Sequence, residues 1–297
     1  MQHDTTLDAR AKLQAAWIAA MPALFVFLWA TGFIGGKLGL PYAEPFTFLA
    51  LRFAIVVVLL LALSFATRAP WPSDLRLYGH VAVSGLLVHA AYLGGVFSAL
   101  AAGLSTGLSA LIVGFQPVLT ALIALFFLGE RVNARQWLGL ALGFAGLVMV
   151  VWNKLAGGNL AGITPSVVAL FGITLGTLYQ KRYCASMDLR TGSVVQFAAS
   201  LVVFATLALV FETRVVEWTP SFAFALGWLV LVLSLGAISL LLVLIRRGAA
   251  AKVASLFYLV PPVTAVLGYL IFGERLGGAE LVGMAITVVG VYLVIRS

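Results

Sequence analysis

The chain has 297 residues, of which 63% are hydrophobic and 9% charged, with a mean hydropathy of +1.12. A soluble domain carries about 25% charged residues to keep its surface solvated, so a water-soluble globule is excluded. The single cysteine, Cys184, excludes an internal disulfide and a cysteine metal cluster, and the net charge of +8 needs its distribution read before any polyanionic partner is inferred.

The first dozen residues, with His3, Asp4 and Asp8, read as a polar, disordered tail. Apolar stretches long enough to cross ~30 Å of hydrocarbon need ~20 residues. Ten such stretches follow, at 16–36, 45–66, 77–101, 104–127, 134–152, 162–181, 191–211, 221–245, 250–272 and 278–295. The first is a full-length span with no small-residue cleavage site after it, so it is expected to be its own targeting signal. Trp29 and Phe33 lie four residues apart in mid-span, away from the interfacial belt where tryptophan anchors. They either offer stacking surface to a cavity or supply packing bulk. Gly36-Lys37 is followed by Leu38 and lacks the upstream glycine and the Ser/Thr of a phosphate loop, which argues against ATP hydrolysis.

Arg52 in the second stretch either snorkels outward or meets helix-end carbonyls, with a gate or carboxylate contact as the alternative. His89 sits near the centre of the third, with Tyr92 one turn on. That histidine could bind a carboxylate or carry a proton; otherwise it is a neutral ring bonded to a neighbouring helix carbonyl. Gln116 stands beside Pro117 in the fourth stretch, and Pro261-Pro262 lies at the matching depth of the ninth. Proline removes a backbone hydrogen bond and clashes with the preceding turn, so both helices should bend or break there. Freed carbonyls are tolerated inside a membrane only in protein or against a wet cavity. Tyr179 in the sixth stretch and Tyr258 in the ninth carry hydroxyls that need partners. Glu130-Arg131 and Glu274-Arg275 close the fourth and ninth, where helix capping with an ion pair to a neighbouring loop is expected. Gly139 and Gly143 give the fifth a close-packing face. Trp17, Trp71, Trp137, Trp152 and Trp218 sit at stretch ends and read as interface anchors.

With the N-terminus inside, thirteen Lys and Arg residues fall in inner segments and four (Lys37, Lys154, Arg214, Arg275) in outer ones. This positive-inside bias puts both termini in the cytoplasm and accounts for the basic charge without nucleic acid. The ten acidic residues all fall in tails, loops or first turns of spans. An intramembrane ionisable group is costly and usually functional, so their placement disfavours a carboxylate proton relay or sodium site.

The chain also repeats itself. Across 105–150 and 249–294, 144 positions apart, there are eleven ungapped identities, among them Pro117/Pro261, Gly129-Glu130-Arg131/Gly273-Glu274-Arg275, Gly139/Gly283 and Gly146/Gly290. At the front of each copy Phe27, Gly32, Lys37 and Phe53 match Phe171, Gly176, Lys181 and Phe197. Five crossings per copy force the second copy, 154–297, to insert upside down relative to the first, 1–153. Inverted repeats meeting at the midplane are a recurring architecture of secondary transporters.

The run from Gly114 to Arg131, its echo over 259–275 and the first-span sequence Leu28-Trp29-Ala30-Thr31-Gly32-Phe33 resemble the drug/metabolite transporter superfamily, EamA branch, and within it the YddG-type amino-acid exporters. The resemblance implies an all-α membrane protein of ten transmembrane helices, built as two inverted five-helix repeats around a central cavity. It further implies efflux of amino acids and related metabolites. One departure stands out: Arg52 and Trp29 of the first copy are Gln196 and Ile173 in the second, so the site is asymmetric.

The expected protein is therefore an inner-membrane carrier or facilitator exporting aromatic or other neutral amino acids and related metabolites by alternating access. Its substrate-binding candidates are Trp29, Phe33, His89, Tyr92, Gln116, Tyr179 and Tyr258. No cofactor, metal or catalytic residue is expected, and a monomer embedded in lipid suffices. An intramembrane serine protease finds only a near miss in Gly107-Leu108-Ser109-Ala110. A passive channel or a carrier of other metabolites or drugs is the alternative.

Overall fold

The computed structural model describes residues 2–104, 106–152, 160–272 and 277–296, and these are helical apart from short turns and one isolated bridge, Ala43 to Val216. In chain order the apolar helices are α1 (Trp17–Tyr42), α2 (Pro45–Ala66), α3 (Leu75–Ala101), α4 (Leu111–Phe127), α5 (Ala134–Val150), α6 (Ile163–Tyr183), α7 (Leu189–Phe211), α8 (Pro220–Arg247), α9 (Ala250–Ile271) and α10 (Gly278–Ile295). Eight are long and apolar enough to cross a membrane; α4 and α5 are shorter.

Local sequence explains where the helices start. Asp74, Asp188 and Thr219 accept first-turn N–H bonds ahead of α3, α7 and α8, and Asn133 with Gln136 forms a capping box for α5. Pro45 and Pro220 open α2 and α8, where the missing N–H would have had no partner.

Four helices are irregular, and they fall into two matched pairs. The α4 rod breaks at Gly114-Phe115 and restarts at Gln116, with Pro117 in the new first turn. In α9 a helical Ala250–Ser255 passes through a 3-10 turn, Leu256–Leu259, before Val260 restarts the helix ahead of Pro261. The prolines thus interrupt both helices one turn upstream, as the lost i−4 hydrogen bond requires. The other pair was not legible in the sequence: π-helical winding runs over Leu86–Ala91 in α3 and Leu229–Ala237 in α8. Shifting 86–91 by 144 gives 230–235, inside the α8 segment. Such bulges gather at functional sites.

Matched helices also run antiparallel against each other. In α5 and α10 the contacts are backbone to backbone: a Cβ on Gly139 would lie 2.6 Å from the Gly290 carbonyl oxygen, and one on Gly146 would lie 2.6 Å from that of Gly283. The numbers fall on one helix as they rise on the other. For α2 and α7 the ends tell the same story. Glu212 at the foot of α7 accepts the Phe46 and Thr47 N–H groups at 2.7 and 2.6 Å, while Thr191 at the head of α7 donates to the Pro70 carbonyl beyond α2 at 2.8 Å. The core between the helices is aromatic, with Phe25, Phe48, Phe53, Phe197, Phe204 and Tyr258 buried. Phe126, Leu270 and Phe211 face outward, as a lipid-facing surface would.

Arg52 departs from the snorkelling expectation. It is 4% exposed, and its Nε donates to Ser234 Oγ in the π segment of α8 at 3.0 Å. A serine partner in mid-helix satisfies part of the guanidinium where it lies, so the side chain need not reach for the interface. Its counterpart Gln196 does the same on α7, donating to Ser84 and Gln180.

Candidate functional site

The structure divides the sequence-predicted residues into separate neighbourhoods. Trp29 and Tyr92 come together, 6% and 5% exposed, with their rings stacked at 6.2 Å. Phe257 meets Trp29 edge-on at 5.2 Å and Phe25 at 5.3 Å, so α1, α3 and α9 build an aromatic box. Aromatic pairs prefer such edge and offset geometries, each worth ~0.5–1.5 kcal/mol beyond burial. Phe257 was missed in the sequence, where the signal was available: it lies four residues before Pro261, in the turn that proline breaks.

His89 takes no part in that box. It stacks on Phe197 at 4.4 Å and meets Phe53 edge-on at 5.6 Å, and neither ring nitrogen has a protein partner among the described residues. Tyr92, three residues on, faces the other way because the intervening π winding places more residues in each turn.

Gln116 is 1% exposed, and neither its amide oxygen nor its nitrogen has a partner among the described residues. It lines a small niche with Thr177, Lys181, Ala250 and Phe257, so Phe257 belongs to both the box and the niche. Tyr179 points elsewhere: its hydroxyl bonds His80 Nδ1 at 2.7 Å, within a stack that includes Tyr183. Tyr258 is fully buried, its hydroxyl has no partner among the described residues, and its ring lies against Gly143 of α5. Phe33 lies on α1, and its side chain falls outside the described residues.

Below the niche the two halves are clasped. Lys181 Nζ donates to Glu130 Oε1 and to the Gly248 carbonyl, both at 2.6 Å. Glu130 also accepts the Ala250 N–H at 2.9 Å, satisfying the first turn of α9. Gly129, at φ +67°, makes the left-handed turn that presents Glu130. Glu130 thus makes an ion pair and a cap, but the pair is to Lys181 in the last turn of α6 and not to a loop, and the cap serves α9; the matching Glu274-Arg275 lies outside the described residues. At the opposite end Glu44 accepts the Thr213 hydroxyl and N–H, which hold its carboxyl below the usual carboxylate value. Beside it an open hollow of about 390 Å³ is bounded by Tyr42, Glu44, Ala101 and Glu217. Cys184 is buried in the turn after α6, which pushes its thiol up to about 12, so it should stay unreactive to maleimide until the protein unfolds.

Comparison with known proteins adds what geometry alone does not give. The model of the EamA-like transporter family matches residues 16–152 and, a second time, 160–296. The chain is 27% identical to a "Probable amino-acid metabolite efflux pump" of Escherichia coli K12, covering 91% of this chain and 92% of that protein. It is 28% identical to the "Uncharacterized inner membrane transporter YedA" of the same organism, over 93% and 89%. It is also 29% identical to the "Uncharacterized transporter YvbV" of Bacillus subtilis, over 93% and 90%. One solved structure shares the fold at a TM-score of 0.75 and 21% identity, covering 92% of this chain and 94% of its own.

Proposed function

The chain belongs to the EamA-like transporter family, and we propose that it exports neutral amino acids, aromatic ones among them, and related metabolites as a secondary carrier working by alternating access. The observation that carries this reading is the aromatic box, to which the first half contributes Phe25, Trp29 and Tyr92 and the second half Phe257. A ring or an apolar side chain can stack there, and the box changes shape whenever the halves move against each other. The similar Escherichia coli protein, a "Probable amino-acid metabolite efflux pump", supports amino-acid metabolites as cargo.

The scaffold we infer is ten transmembrane helices in two inverted five-helix repeats, 1–153 and 154–297, around a central cavity. The antiparallel α5–α10 and α2–α7 contacts, the matched helix breaks and the two family matches support it. In this reading the protein sits in an inner membrane as a monomer, needs no cofactor, and keeps both termini in the cytoplasm.

Counterflow in proteoliposomes tests the function. Vesicles preloaded with unlabelled phenylalanine, methionine or threonine should accumulate the labelled amino acid transiently. A passive channel gives no such overshoot, and a carrier for other metabolites or drugs gives it only with its own cargo. Topology has its own test, for which the buried Cys184 leaves the background silent. Arg131→Cys and Arg275→Cys should react with membrane-impermeant maleimide from opposite faces. Labelling from one face would end the inverted-repeat reading.

A further inference from the structure

We propose that the niche between the aromatic box and the Glu130–Lys181 clasp is the carboxylate subsite of the carrier, with Gln116 and Lys181 as its donors. The proposal rests on the amino-acid reading above and assigns the two ends of the substrate to two places: side chain in the box, carboxylate in the niche.

The side chain of Gln116 supplies the first observation. It offers two N–H donors and one carbonyl acceptor, all of them buried and without a partner among the described residues. A buried polar group left unmet costs about 1–3 kcal/mol, so a glutamine that serves packing alone is a poor choice at this position. Its place in the helix is the second. Gln116 opens the second half of the broken α4, a twelve-residue helix whose Phe115 cap contributes no side-chain hydrogen bond. Half-helix N-termini of this kind present amide hydrogens and a positive dipole end to anionic substrate groups.

Lys181 supplies the charge. It lines the same niche, and two of its three ammonium protons lie on Glu130 and the Gly248 carbonyl, leaving one for a third acceptor. The Coulomb partner of Lys181 in this conformation is a carboxylate of the protein itself, and a substrate carboxylate is its chemical equivalent. The niche has room for about 10 Å³, close to one water. A substrate carboxylate therefore enters only as the wall formed by the start of α9 moves, and that start is held by Glu130 through the Ala250 N–H. Exchange of Glu130 for the substrate at Lys181 would release α9 at the same moment. Occupancy of the subsite and opening of the clasp are then one event.

The test compares a substrate with its carboxylate-free analogue. Counterflow of labelled L-phenylalanine is competed with unlabelled L-phenylalanine and with L-phenylalaninamide in reconstituted full-length protein. The wild type should prefer the free acid at least tenfold. Gln116→Leu and Lys181→Met should each shrink that preference toward one, through weaker competition by the acid and not by the amide. Gln116→Glu, which places a carboxylate in the niche, should invert it. Continued competition by the amide certifies that each variant is folded. An unchanged preference in both Gln116→Leu and Lys181→Met, with the wild type active, overturns the subsite and leaves the exporter reading standing. A wild type that shows no amino-acid counterflow overturns both.

Discussion

Gly146→Leu should yield no monodisperse protein after detergent extraction, and Gly146→Ala should yield protein that is markedly less heat-stable. A Cβ at this position lies 2.6 Å from the Gly283 carbonyl oxygen and 2.6 Å from the Thr287 backbone nitrogen. Neither is the far end of a flexible side chain. The α5 and α10 backbones must separate, and every close contact along the seam is lost with them. Overpacking a well-filled interior costs about 1–3 kcal/mol for small additions, and leucine adds far more bulk than that. The contrast is Gly227→Ala in α8, where nothing lies within 4 Å of the new methyl. There the exchange should be neutral or gain up to ~1 kcal/mol, because alanine is the better helix former. Thermal unfolding of the purified variants measures both. Equal Tm values for Gly146→Ala and wild type would mean that α5 and α10 are not packed as described.

Trp29→Ala should raise KM for aromatic amino acids tenfold or more while leaving small substrates such as threonine much less affected. The ring touches Phe25, Tyr92 and Phe257, so its loss removes the common wall of the box. Truncating a buried aromatic also costs about 3–5 kcal/mol of stability, and a fall in total activity alone would not separate the two effects. The substrate comparison does, since instability lowers every flux alike. Trp29→Phe keeps a stacking face and should restore most of the aromatic preference. A uniform loss across substrates, unrepaired by phenylalanine, would make Trp29 a packing residue and move the side-chain pocket elsewhere.

Much of the scaffold was readable because its signals are local. Eight apolar spans announce themselves by length, two expected spans prove shorter as helices, and Pro117 and Pro261 mark helix breaks through a fixed covalent defect. Gly139 and Gly143 advertise close packing by their spacing, and Glu130 offers a cap simply by following a helix end. The site was readable only in part, because which way a side chain faces depends on how its helix is wound. His89 and Tyr92 share a face in a regular helix, but the π segment through Leu86–Ala91 turns them toward different neighbours. No residue in that segment betrays the winding. Phe257 and Tyr258, adjacent in a 3-10 turn, likewise diverge toward Trp29 and Gly143. Tyr179 finds His80 across a helix pair that periodicity cannot align. Arg52 finds Ser234 182 positions away.

The glycine seam between α5 and α10 limits how the carrier can move. The two backbones meet at Gly139, Gly143, Gly146, Gly283 and Gly290, with the Thr287 and Val294 side chains set against them, so sliding one helix along the other would drive side chains into backbone. Tilting about that line leaves it undisturbed. The seam thereby fixes the register of α5 on α10, and any rearrangement of the molecule has to leave that line of backbone contact in place.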